Sequence, residues 1–326
     1  MYGARSRSQG QPLPMLDLAP PADVLPLRGL NPALPFTTAM ARQVGIPSDT
    51  LTWLCRRREL VRLFKGVYVV AGTPDTPTLR VAAVRLVAPP ESVICDTTAA
   101  WVRGIDLEPP GGHLSVQPAS VFKEAGHDRL RIPGVRSGER SFGQGDVIDL
   151  AGMRITSALR TAWDLGRLQP RYRALAGLDA MLRLGEFTRE ELLDGVARFR
   201  GERGVVQLRA LAPLADSRAE SPPESMLRLH WLEQPSLPPP VPQLPIVDDF
   251  GRVIFRLDLA DPGAGVAAEY DGVAFHRDRE RDDAERRAWI KRNRGIHVEV
   301  FDDADLFRRD ADPGRRLRLM YAIHAR

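Results

Sequence analysis

Asp258 and Glu269 are the residues of this chain whose types and spacing point most directly to chemistry. They close two short apolar runs within residues 255–276, FRLDLADPGAGVAAEYDGVAFH. The Asp261-Pro262-Gly263 cluster between the runs signals a tight turn. The spacing therefore predicts a hairpin that sets the two acids side by side, one from each strand. Adjacent carboxylates repel unless a proton or a cation sits between them. Oxygen donors with no nearby cysteine suit Mg²⁺ or Mn²⁺. A metal held there could activate a bound water. Each acid taken alone has a plainer reading, a hairpin-end residue that faces water.

The elements that must position these acids are also legible. Glu224 lies in Ser221-Pro-Pro-Glu-Ser-Met, where Ser221 can cap a helix and Pro222 suits its first turn. An anion at that helix start is favoured by the helix dipole whether or not it has another task. After Glu269 come Tyr270-Asp271-Gly272 and then His276. A charged helix containing Asp283 and Arg286 follows, then Gly295 and an apolar strand over 296–301. Taken together, residues 218–308 resemble the restriction-endonuclease-like superfamily, and within it the DUF559 and very-short-patch-repair type of nuclease domain.

The resemblance implies that Glu224, Asp258, Glu269, Asp271 and His276 are catalytic. It implies that Asp258, Glu269 and the Tyr270 carbonyl hold Mg²⁺ or Mn²⁺, with His276 moving a proton. The sequence departs from the superfamily at Asp271, where Lys is common, and at Val300, near the place of a frequent Arg. A nuclease fold kept only to bind DNA is the competing expectation.

A second pattern lies near the start. Thr37 can cap a helix that Gly45 breaks, and Ser48 can cap a second helix reaching about Glu59. Leu51, Leu54 and Cys55 give that helix an apolar stripe. Residues 60–64 and 66–70 read as a hairpin turning at Lys65-Gly66, which adds a wing to a helix-turn-helix. In such a unit the second helix enters the major groove. Ser48, Asp49, Thr52 and Arg56 are the base-facing candidates; Arg57, Arg58, Arg62 and Lys65 would meet phosphates. This unit resembles the N-terminal winged helix of AbiEi-type antitoxins of type IV toxin–antitoxin systems. That likeness implies autoregulation on operator DNA and a cognate toxin as partner.

The 326 residues are 43% hydrophobic and 27% charged, enough for real cores, and the net charge of +4 permits polyanion binding without requiring it. Only Cys55 and Cys95 are present, so neither a zinc pattern nor a disulfide framework is expected, and a reduced cytoplasm is the simplest compartment. No apolar run is long enough to span a membrane. Residues 1–30 read as a disordered tail, 31–73 as the winged helix, 74–217 as a middle α/β region and 218–326 as the nuclease-like domain. The middle region is the least legible; His113 and His127 read as surface residues. The fold class expected is α/β (α+β): a winged helix-turn-helix, an α/β middle and a C-terminal mixed sheet flanked by helices. The leading function is metal-dependent DNA cleavage, and the alternative is a non-enzymatic, antitoxin-like transcriptional regulator. Oligomeric state is not legible.

Overall fold

A computed structural model of the chain describes residues 29–108, 118–126, 132–272 and 280–326. The expected segment at residues 1–28, the short strands near 114–117 and 129–131, and His113, His127 and His276 lie outside the described residues. The chain forms a mixed α/β structure in two compact units that divide after Asp164.

The first unit opens with the helix-turn-helix. Strand β1 (Phe36–Thr37) leads into α1 (Thr38–Gln43), whose N-cap is Thr37, its hydroxyl accepting from the Met40 N–H at 3.1 Å. Gly45 turns the chain at φ 82°. Helix α2 (Ser48–Arg56) follows, then β2 (Leu60–Phe64) and β3 (Val67–Val70), which form a sheet in the order β1-β3-β2. One expectation is corrected here. Ser48 is the first helical residue rather than the cap; Pro47, extended at ψ 155°, precedes it and makes no side-chain cap. Its fixed φ already sets the entry to the helix. Phe36, Leu51, Leu54, Leu60 and Tyr68 close a small core beneath α2.

The rest of this unit is α3 (Pro77–Arg85), β4 (Val93–Ile94), α4 (Asp96–Val102), β5 (Ala119–Glu124), β6 (Val135–Arg136), β7 (Glu139–Arg140), β8 (Val147–Leu150) and β9 (Met153–Thr156). The main path of this sheet is β6-β5-β4-β9-β8, and β7 pairs with β5. Phe64 and Val67 from the wing pack into its core beside Ile94, Val121 and Ile155. Phe64 also meets Trp101 edge to face at 5.4 Å. The wing is thus fused to the α/β body through buried apolar area, which stabilises by about 25 cal/mol per Å² removed from water.

The unit boundary falls within α5 (Ala158–Leu168). The second unit continues with α6 (Arg171–Arg183), α7 (Arg189–Asp194), α8 (Val205–Leu211) and α9 (Pro222–Leu232). It then forms a four-stranded sheet, in order β10 (Val241–Val247), β11 (Val253–Asp261), β12 (Val266–Tyr270) and β13 (His297–Phe301). The first two pairings are antiparallel and β12–β13 is parallel, with α10 (Glu280–Arg294) making the crossover. Helices α11 (Asp303–Phe307) and α12 (Pro313–His324) end the chain. Leu227 and Trp231 of α9 and Leu317 and Met320 of α12 cover one face of the sheet, packing on Leu259, Val266 and Ala268. Ile290 of α10 covers the other, against Ala260, Ala267 and Val298. Residues alternate faces along a strand, and this alternation decides where each acid points.

Candidate functional site

The acids of the second unit share one row of the sheet. Leu259 pairs with Ala268, so the next step in the antiparallel register sets Asp258 opposite Glu269. On the other side of β11, Gln243 falls between the pairs Pro242↔Leu259 and Leu244↔Leu257, and so also faces Asp258. Glu269 in turn pairs with Val300 of β13, and Asp258 is close enough to Glu269 and Glu224 for their charges to interact. The family resemblance sets a Gln just before a strand at this place. Gln243 sits within the strand, at a left-handed φ of 51°, and its amide donates to Glu224 Oε2 at 2.9 Å.

Glu224 reaches this row from the first turn of α9. Ser221 caps the helix as expected, and its hydroxyl donates to Glu224 Oε1 at 2.8 Å. Deeper in α9, Arg228 pairs with the buried Asp179 of α6 at 2.7 Å. Asp258 Oδ2 accepts the Tyr270 N–H at 2.9 Å. Glu269 receives a two-point contact from the Arg286 guanidinium of α10. Asp271 is exposed beyond the strand end, its N–H bonded to the Phe301 carbonyl at 2.8 Å. Tyr270 donates its hydroxyl to Asp303.

Burial pushes the carboxyls of Glu224, Asp258 and Glu269 above the ordinary range. The Asp258 shift is large, and the negative charges of Glu224 and Glu269 add to it. Asp258 keeps some accessible surface, so the crowding of acids matters there as well as desolvation. A carboxyl whose folded pKa is raised binds its proton more tightly in the folded state. Its stabilising effect is present below the unfolded carboxylate pKa and is lost as pH rises through the folded one. Asp258→Asn is therefore expected to be more stable than the wild type at pH 8 and no more stable at pH 4. Urea unfolding at the two values measures this, and a gain that grows on acidification contradicts it.

The donor types suit a hard divalent cation, and two of the carboxyls already have protein partners. Arg286 engages both oxygens of Glu269, and Glu224 is held by Ser221, Gln243 and the Glu220 N–H. Among the described residues, no group of three or more His, Cys, Asp or Glu stands where it can hold a metal ion.

The first unit offers a different surface. Ser48, Asp49, Arg56, Arg57 and Arg58 are exposed on or just beyond α2, as is Lys65; Thr52 and Arg62 are half-buried. Thr52 donates its hydroxyl back to the Ser48 carbonyl at 3.2 Å. The Arg57 guanidinium lies 4.6 Å over Trp53 and is bonded to Glu59 at 2.5 Å. The Lys65 stem lies against Gly134, and Arg62 stacks on Tyr68 at 5.5 Å. Trp53, 48% exposed and one turn before Arg57, is a surface residue that the apolar stripe of α2 does not reveal. Its spacing from Arg57 is the available signal, since positions four apart share a helix face.

Arg58 is held in an unusual conformation. Its φ is 60°, and the bonds Arg58 N–H to Cys55 O and Glu59 N–H to Leu54 O close the helix end. This is the position where glycine is the unstrained choice. An arginine there costs about 1 kcal/mol or more of backbone strain, and it adds a cation directly beyond the helix end.

A second feature hidden from the sequence is a buried ionic chain. Arg140 forks onto Asp96, at 2.6 and 3.2 Å, and also touches Asp164 at 3.1 Å. Arg160 bonds Asp164 at 2.8 Å and Asp146 at 2.5 Å. All three aspartates are essentially inaccessible, and Asp96 holds a left-handed φ of 52°. Buried Cys95 lies beside this chain, and burial raises its thiol pKa. Both cysteines are free. Arg160 and Asp164, four apart and so on one helix face, are a local hint.

Residues 92–214 match the family model of the AbiEi antitoxin C-terminal domain. The match falls on the region that is least legible in the sequence, contains the whole ionic chain and ends before Glu224. Two curated proteins of Mycobacterium tuberculosis are 35% identical over 221 residues, covering 67% of this chain and 75% of theirs. They are uncharacterized protein MT2308 of strain CDC 1551 / Oshkosh and uncharacterized protein Rv2248 of strain ATCC 25618 / H37Rv. Among solved structures, that of RV2827C protein from Mycobacterium tuberculosis matches at 15% identity over 60% of this chain and 75% of that one. Its TM-score is 0.28, a level that fixes no residue correspondence.

Proposed function

We propose that this chain, which belongs to the AbiEi-type antitoxin family, is a DNA-binding regulator of a toxin–antitoxin system, with a cognate toxin as its protein partner. The observation that carries this reading is the surface of α2. Its buried stripe, Leu51 and Leu54, fixes the helix on the wing. Its outer side offers Ser48, Thr52 and Trp53, and three consecutive arginines follow at its end. Polar groups early in such a helix can reach base edges, and cations at its end can neutralise phosphates. No helix among the described residues is long and apolar enough to cross a membrane.

The test is binding of the full chain to duplex DNA from upstream of its own gene, against a shuffled duplex, across a salt series. Specific binding should exceed non-specific binding by about 10³-fold or more. Equal affinity for both duplexes would leave sequence-selective regulation unsupported. Thr52→Ala should change the preferred sequence rather than the salt slope, because a hydroxyl at a base edge carries selectivity while cations carry the slope.

A second reading, metal-dependent phosphodiester cleavage, is favoured by one observation, the shared row of Asp258 and Glu269 with Glu224 at its edge. It requires Arg286 to release Glu269. Incubation with duplex, single-stranded and mismatched DNA in Mg²⁺ or Mn²⁺ decides it, with Asp258→Ala as control. Cleavage by the wild type that vanishes in the variant would support an enzyme. Cleavage that survives Asp258→Ala would assign the activity elsewhere.

A further inference from the structure

We propose that the second unit carries its own nucleic-acid-binding surface, formed by the tip of the β10–β11 hairpin and the C-terminal half of α10. It shares with the regulator function only the class of ligand and does not involve the winged helix.

The hairpin tip is built to expose a ring. Asp248 accepts from the N–H groups of Phe250 and Arg252, both at 2.9 Å, and its carboxylate pairs with the Arg252 guanidinium at 2.7 Å. That clamp fixes the turn. Phe250 is then 83% exposed, with Arg252 stacked 5.3 Å over one face, which leaves the other face open. Leaving a large ring in water forfeits the gain of burying it, and here local structure holds the ring out.

Beside the tip runs a ladder of rings and guanidinium groups. Arg294 donates to the Val247 carbonyl at 2.6 Å, tying the end of α10 to the end of β10. The same guanidinium lies 5.4 Å over Trp289. Trp289 meets Phe255 edge to face at 5.7 Å, and Arg286 lies 5.8 Å over Phe255. From Arg286 to Arg294, the helix carries five cations and no carboxylate. Lys291 and Arg292 are exposed.

One exposed ring beside half-buried rings and cations matches the chemistry of a polynucleotide, which offers a stackable face and a phosphate at every residue. An acidic protein surface would use the cations but does not set a stackable face beside every negative charge. A single strand is the better fit, because its bases are free to stack on a protruding ring.

Fluorescence anisotropy of the full chain with a labelled single-stranded oligonucleotide and its duplex, over a range of salt, tests this. Lys291→Ala/Arg292→Ala should weaken single-strand binding and flatten its salt slope by roughly 0.7 for each cation withdrawn from a phosphate. Phe250→Ala should weaken it about 5- to 150-fold with the slope unchanged. The charge-matched control Arg203→Ala/Arg209→Ala, at exposed positions, should leave both quantities near wild type. If the α10 and Phe250 variants bind like wild type while loss of the arginines after α2 abolishes binding, this surface is refuted and the winged-helix function stands. A control pair as damaging as Lys291/Arg292 also refutes it. If the wild type binds no nucleic acid, both proposals fall.

Discussion

Asp164→Ala is expected to destabilise the first unit by about 3–5 kcal/mol, the cost of removing the shared partner from a buried ionic network. Asp164 is the anion shared by Arg140 and Arg160, and it is fully inaccessible. Its loss removes the middle of the chain Asp96–Arg140–Asp164–Arg160–Asp146; Arg140 keeps Asp96 and Arg160 keeps Asp146, but both lose a bond in a site closed to water. A domain is stable by only about 5–15 kcal/mol, so this variant should unfold at much lower urea. The comparison is Arg154→Ala. That residue pairs with Glu124 at the surface, both about two-fifths exposed, and its loss should cost about 0–1 kcal/mol. Tryptophan fluorescence follows both, since Trp101 packs in the same unit. Equal losses would show that the buried chain contributes no more than a surface pair. Asp164→Asn should fall between, because the amide keeps a hydrogen bond and removes the charge.

Weaker DNA affinity with no loss of stability is the expected result for Arg58→Gly. Glycine relieves the left-handed strain at φ 60°, so stability should hold or rise by about 1 kcal/mol, while one cation at the end of α2 disappears. The triple variant Arg56→Ala/Arg57→Ala/Arg58→Ala should weaken binding to duplex of any sequence and flatten the salt slope by roughly 0.9 for each phosphate no longer neutralised. Trp53→Ala removes the ring under Arg57 and should weaken binding with a smaller change in slope than removal of an arginine gives. Thermal melting and anisotropy on the same samples separate the effects. A triple variant that keeps wild-type affinity and slope would make this winged helix a protein-docking module, and the toxin would then be its first candidate partner.

The pattern of elements at the two ends is legible because local rules govern it. Thr37 and Ser221 cap their helices through their own hydroxyls, and Asp261-Pro262-Gly263 turns one strand into the next. Period-two alternation then sets Asp258 and Glu269 on one face. The mixed α/β class follows from the same patterns. The middle region is obscure because its sheet pairs β4 with β9 across some sixty residues, and its strands β4, β6 and β7 are only two residues long.

The sequence by itself determined which residues are acidic, where the helices capped by Thr37 and Ser221 start, and that Asp258 and Glu269 would be neighbours. These follow from interactions within a few residues or across one turn. Only the tertiary structure decided what surrounds them. Arg286 arrives from the crossover helix to engage Glu269, Gln243 turns left-handed to reach Glu224, and α10 faces the hairpin tip with its aromatic and basic side. Arg140 and Arg160 likewise find their aspartates only when β7, α4 and α5 meet. A charge in sequence has no fixed partner. Its role depends on which opposite charge the fold places within a few ångströms and on whether water remains between them.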